Sequence, residues 1–401
     1  MRDTVNELSQ QTQRIGELVG TYNPTVELKS PMLPVTWCTT CFGKLVGLVL
    51  TVSVLAILAG CTTERVGGRV PDVAHKVPPW NIIDRSGWAE DITTSFAALS
   101  IPAEPRKVCA VAAIIEQESG WQVDPVIPGL PNIARRELEK RLARHKIPVS
   151  VLEAMLRIKS PNGQTYGERL AWVRTERELS RIYEDMIGIV PLGLGGFLFG
   201  GMNPVRTGGP MQVNINFAAQ IMRERPYPWS SGGSAREEVF TRRGGVYFGI
   251  AMLLDYPVSY DRMLYRFADY NAGRYASRNA AFQHVVAALS GHTLDFDGDL
   301  GSQTRAALEN IPLEMERASI ERDLRLEKSF DFEHTELYAR VHTLARQRGI
   351  PFAVAAVPDI ILESPKITRK LSTKWFADQV EKRYRRCLSG NDWGQENGYN
   401  N

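Results

Sequence analysis

The run PRKVCAVAAIIEQESGW, residues 105–121, decides the fold. Pro105 suits the first turn of a helix, where its missing N–H would lack a partner anyway. Val108, Val111, Ala112 and Ile115 follow at helical spacing, and Gly120 supplies the stop. The spacing predicts an apolar helix from Pro105 to Glu118. Glu118 then sits on its last turn, half in the core and half at a cleft, with Ile114, Ile115 and Trp121 as apolar surroundings. Glu116 is the rival. Two residues along a helix turn a side chain by about 200°, so only one of the pair faces the cleft.

Outward from this run the chain reads as mainly α. Ser86 is a candidate N-cap for a helix carrying Ile92, Phe96 and Leu99 on one face. Strongly helical patterns cover 133–158 and 167–187, separated by the turn Pro161-Asn162-Gly163. Further helices are expected over 215–223, 245–256, 260–270 and 279–289, then over 303–328 (interrupted before Pro312), 333–348 and 371–387, with one short strand within 352–361. The acidic string DFDGD, residues 295–299, lacks the Gly and Glu that a calcium loop needs at its sixth and twelfth positions, where Leu300 and Ala306 stand. It reads as a turn into a helix at Ser302.

The 401 residues carry 48 basic and 45 acidic side chains, a net charge of +3, so no basic excess marks a nucleic-acid partner. The apolar stretch LVGLVLTVSVLAIL, residues 45–58, follows Lys44 and ends at Leu58-Ala59-Gly60-Cys61. It is short of the ~20 residues of a membrane span and suits the core of a signal peptide. Residues 1–31 are polar and lie unusually far upstream, so the true start is either Met32 or the chain has a long leader. Residues 1–60, including Cys38 and Cys41, are set apart from the mature fold, and 61–80 reads as a tether. That leaves Cys109 and Cys387, an even pair that forms either a bridge or two buried thiols.

Two further strings follow the first in order: GPMQVN at 209–214 and ADYNAG at 268–273. Together with Glu118-Ser119 they resemble the lysozyme-like lytic transglycosylase family, in which a Glu-Ser pair precedes Gly-Leu-Met-Gln and Ala-Tyr-Asn-x-Gly. The resemblance implies a lysozyme-like core with Glu118 as catalytic acid and base. It also implies Ser119, Gln212, Tyr270 and Asn271 as substrate-binding residues, Tyr270 donating toward Glu118, and no metal or other cofactor. A carboxylic acid protonates a glycosidic oxygen only if a poorly solvated site holds its proton near neutral pH. The expected reaction cuts the bond between N-acetylmuramic acid and N-acetylglucosamine in peptidoglycan, leaving a 1,6-anhydro end.

Leu-Ala-Gly-Cys resembles the lipobox of bacterial lipoproteins, which implies acylation of Cys61, palmitate included. Thr62 in place of Asp implies the outer membrane. Across most of the mature chain, through SPKITRKL at 364–371, the sequence is similar to the YaiW-like outer-membrane lipoproteins. One member of that group has been linked with peptide uptake. Two departures from the transglycosylase pattern stand out: Pro210 replaces a leucine, and residues 131–205 form a long insertion between Glu118 and Gln212. The expected layout is a lysozyme-like domain over 81–300 with that insertion, and a helical C-terminal extension over 301–401. The two functional expectations are an envelope-anchored lytic transglycosylase, or a lipoprotein that binds glycan or a protein partner without turnover.

Overall fold

The computed structural model describes residues 74–390 apart from 76, 145, 190–202, 231–232 and 363–370. Cys61, the apolar run before it and the whole leader over 1–60 lie outside the described residues. The fold is mainly α. Its central helix is α2 (Pro105–Ser119), with Pro105 in the first turn and Gly120 closing it at a φ of 57°. Every residue from Val108 to Ile115 is buried, and a helix apolar on all sides must be surrounded by other elements. Helices α9 (Arg242–Leu254) and α15 (Thr373–Leu388) flank it, α10 (Met263–Ala272) joins those two, and α1 (Arg85–Ala98) lies against α9. The cap of α1 is Asp84 rather than Ser86. Its Oδ1 accepts the N–H of Gly87 at 3.1 Å, while the guanidinium of Arg242 ties α9 to both Asp84 and Asp91.

Among its described residues the insertion forms four helices where two are expected: α3 (Leu130–Arg144), α4 (Val149–Leu156), α5 (Tyr166–Trp172) and α6 (Glu176–Ile189). Pro148 is the cap of α4, and a proline disfavours helical geometry in the residue before it, which separates α3 from α4. The sequences Thr165-x-x-Glu168 and Thr175-x-x-Glu178 are capping boxes that restart the chain as α5 and α6. Leu138, Leu142, Leu152, Leu170, Ile182 and Met186 share one core with α2.

Between α6 and α9 run the hairpin β1 (Thr207–Gly208) and β2 (Val213–Asn214), α7 (Ile215–Glu224) and the short α8 (Ala235–Val239). A second core gathers Phe282, Val286 and Leu289 of α11 (Ala276–Ser290), Leu308 of α12 (Ser302–Leu308), Leu324 of α13 (Arg317–Leu324) and Val341 of α14 (Glu336–Gln347). The expected helix over 303–328 is the pair α12 and α13, broken around Pro312. Within 352–361 only Ile361 is in a strand, as the start of β3 (Ile361–Leu362), paired with β4 (Leu371–Ser372).

Packing does not follow the boundary expected at residue 300. Phe376, Val380 and Tyr384 of α15 belong to the first core, and the Tyr384 ring meets Phe267 of α10 edge-on at 5.5 Å. A disulfide joins Cys387 on α15 to Cys109 on α2, with Cα atoms 5.6 Å apart across 278 residues of sequence. Among the described residues no helix is long and apolar enough to cross a membrane.

A crosslink over so long a loop removes much of the unfolded chain's freedom, so reducing it, or replacing both cysteines with alanine, should lower the unfolding free energy by about 3–5 kcal/mol. Urea unfolding with and without reductant measures this, and the double alanine variant should be insensitive to the reductant.

Candidate functional site

The three strings, spread over more than 150 residues, meet through Glu118, Tyr270 and Met211 at the C-terminal end of α2. Glu118 is half-buried there. Tyr270, on α10, is buried, and its phenol is held well above its usual pKa, first by burial and then by the negative field of Glu118. Its hydroxyl donates to the carbonyl oxygen of Met211 at 2.7 Å. The phenolic hydroxyl thereby ties α10 to the hairpin turn.

That turn is Gly209-Pro210-Met211-Gln212, closed by Gln212 N–H on the Gly209 carbonyl at 3.1 Å. It fits into a surface with side chains removed. A Cβ on Gly209, whose φ is 73°, would lie 1.9 Å from the Val239 carbonyl oxygen. Gly245 and Gly249 of α9 admit the Pro210 ring and the Met211 side chain, which added Cβ atoms would meet at 2.4 and 2.2 Å. Pro210 is thus accommodated by a glycine opposite it. Gln212 itself takes a left-handed φ of 50°, uncommon outside glycine, which fixes the direction in which its side chain leaves the turn.

Gln212 is half-buried and doubly bonded: its Nε2 donates to Glu176 Oε2 at 2.8 Å, and its Oε1 accepts from Thr207 Oγ1 at 3.3 Å. Ser119 is buried with its hydroxyl directed into its own helix, donating to the Ile115 carbonyl at 2.9 Å. Asn271 is half-buried and turns toward the start of α15, its Oδ1 accepting from Thr373 Oγ1 at 3.2 Å. The geometry therefore groups Glu118, Tyr270 and the Met211-Gln212 turn, and gives Ser119 and Asn271 protein partners of their own.

Glu116 points elsewhere, as the 200° rotation requires. It meets Arg386 at 3.2 Å and Arg383 at 3.5 Å on α15. Burial raises its pKa, and the two guanidinium groups only partly oppose that.

Two carboxylates here carry no recognisable signal in the sequence. Asp269, fully buried, accepts from Tyr256 and Tyr260 hydroxyls and from the backbone N–H of Tyr275 and Ser277, the last at 2.7 Å. It seats the turn between α10 and α11 and so fixes the neighbouring Tyr270. Burial raises its pKa against those hydrogen bonds. Glu176, on the insertion, is 8% exposed and reaches Gln212 from 36 residues away. The capping box at Thr175 announces a helix start there, but nothing local connects that start to Gln212. Among the described residues no group of three or more His, Cys, Asp or Glu side chains is arranged to hold a metal ion.

The chain belongs to a family described as "Protein of unknown function (DUF1615)", whose model matches residues 81–390. It is similar to the uncharacterized protein YaiW of Escherichia coli (strain K12), with 45% identity over 357 residues, 84% of this chain and 97% of that relative. Neither match carries a functional description or names a transglycosylase domain. No solved structure matches.

Two outcomes follow from this geometry. Tyr270→Phe strands the buried Met211 carbonyl and should cost ~1–3 kcal/mol of stability in urea unfolding. For Glu116, a folded pKa above the unfolded one means that its contribution is complete below the ordinary carboxylate pKa of about 4.3 and declines as pH rises through the folded value. Glu116→Gln lacks that decline, so its urea midpoint should gain on that of the wild type between about pH 4 and pH 7. A constant difference across that range would refute the assignment.

Proposed function

We propose that the protein is an envelope lipoprotein, anchored in the outer membrane through Cys61, that cleaves peptidoglycan glycan strands as a lytic transglycosylase. The single observation that carries this reading is the meeting of Glu118, Tyr270 and the Met211-Gln212 turn, three sequence-distant strings whose order resembles that family. In this reading Glu118 gives its proton to the glycosidic oxygen as the bond from C1 of N-acetylmuramic acid breaks. The acetamido carbonyl oxygen of the same sugar bonds to C1 and takes up the positive charge. Glu118, now a carboxylate, removes the proton of the C6 hydroxyl; that oxygen then displaces the acetamido group from C1, closing the 1,6-anhydro ring. No water is consumed, and Glu118 ends protonated as it began.

The environment suits a proton-holding acid: one face of the end of α2 is the apolar core, and the neighbouring phenol is kept neutral first by its burial, its hydroxyl donating to the Met211 carbonyl. A second reading, binding of glycan without turnover, draws on a different observation. Gln212 is already bonded to Glu176 and Thr207, as it would be in a site built to hold a strand.

Incubating purified sacculi with residues 62–401 and weighing the soluble products by mass spectrometry separates the two. The enzyme reading expects anhydromuropeptides, reduced at least about a hundredfold in Glu118→Gln, the scale of losing one general acid. Intact sacculi that sediment the protein would establish the binder instead.

A further inference from the structure

The insertion brings a carboxylate of its own, Glu176, onto the Gln212 side chain. Glu176 is the first residue of α6, and two contacts, an antiparallel bridge and an ion pair, hold that helix start against the segment that follows Glu118. The Ile127 N–H donates to the Arg174 carbonyl at 2.9 Å as part of the antiparallel bridge between Val126 and Thr175, and Asp124 lies 3.6 Å from Arg177. The capping box of Thr175 and Glu178 stiffens it further, with Glu178 accepting the Arg174 N–H at 2.8 Å. The Glu176 side chain is therefore aimed by rigid neighbours, and its Oε2 receives the Gln212 amide nitrogen at 2.8 Å.

A primary amide carries two donors on one end and an acceptor oxygen on the other, and it reverses by a half-turn about its last torsion. A carboxylate only accepts. Glu176 thus requires the nitrogen of Gln212 on its own side and sends the carbonyl oxygen to the other, where the Thr207 hydroxyl meets it at 3.3 Å. The second nitrogen-bound hydrogen has the Gly209 carbonyl within 3.5 Å. What Gln212 has left to offer a ligand is the second lone pair of its carbonyl oxygen. We infer that Glu176 is a positioning residue that locks Gln212 as a hydrogen-bond acceptor for a donor on the bound saccharide, a hydroxyl or an acetamido N–H. This rests on the glycan-binding reading above, whether or not the strand is cut. It gives the insertion a direct part in recognition: the long connection between Glu118 and Gln212 orients the residue at its far end.

The pair can be exchanged. In a Glu118→Gln background, which leaves strands uncut, binding to purified sacculi is measured by co-sedimentation for the parent, Glu176→Gln, Gln212→Glu and the double exchange. Thermal melts confirm that each is folded. Gln212→Glu sets two carboxylates face to face and should weaken binding by about tenfold or more, the scale of one lost charge-assisted hydrogen bond. Glu176→Gln, which frees the amide to reverse, should weaken it about threefold to tenfold. The double exchange rebuilds the pair with its polarity reversed while still presenting an oxygen at 212, and should regain more than half of the lost affinity on a logarithmic scale. Binding by Glu176→Gln equal to the parent, or a double variant no better than Gln212→Glu alone, overturns the inference; if the variants at 212 do not fold, Glu176→Gln against the parent decides. Absence of anhydromuropeptides from wild type alongside a rescued pair removes only the enzyme reading, whereas a parent that fails to sediment with sacculi removes both.

Discussion

The hydrogen bond from the Tyr270 hydroxyl to the Met211 carbonyl is the interaction on which the rest of the site depends. It crosses from a helix to a hairpin turn, between residues that no local pattern connects. Both ends are held independently. The turn is seated because Gly209, Gly245 and Gly249 remove side chains that would strike backbone or the Met211 thioether. The tyrosine is seated because Asp269, next to it in sequence, accepts two hydrogen bonds from the hydroxyls of Tyr256 and Tyr260, ahead of α10, and two from the backbone N–H groups of Tyr275 and Ser277, which carry the chain into the next helix. A buried carboxylate with fewer donors would be costly. Here the donors come from two tyrosines and two backbone amides, so the charge organises the turn rather than disrupting it.

A second constraint is the tie between the ends of the described chain. The α2 helix is buried all round, and its last neighbour is α15, which arrives more than 250 residues later with a disulfide to Cys109 and two arginines around Glu116. These contacts sit on the opposite side of α2 from Glu118, so they hold the helix without occupying the site. The second core, built from α11 to α14, lies between α10 and α15 in sequence and has its own apolar interior. The C-terminal segment is therefore two things: a small cluster with its own packing, and one helix returned to the main core.

The helix from Pro105 is read from its sequence because a fixed-φ residue, an apolar 3.6-residue period and a terminal glycine all agree. The opposite orientations of Glu116 and Glu118 follow from helix geometry alone. The split of 133–158 at Pro148 and the restart at Thr175 carry known local chemistry, but the apolar periodicity continues on both sides and masks them. The partner of α15 is not legible in its residues, because its apolar face looks the same whether it meets its neighbours in sequence or a helix near the other end of the chain.

By itself the sequence determined the mainly helical class, the boundaries of the central helix, and that Glu116 and Glu118 face opposite ways. These depend on backbone preferences and periodicities that act within a few residues. Only the tertiary structure decided that Tyr270 holds the Met211 carbonyl, that Asp269 anchors its turn, and that the insertion brings Glu176 onto Gln212. The physical reason is that a hydrogen bond between distant segments has no period and no local propensity: its donor and acceptor are chosen by where the packed helices leave them.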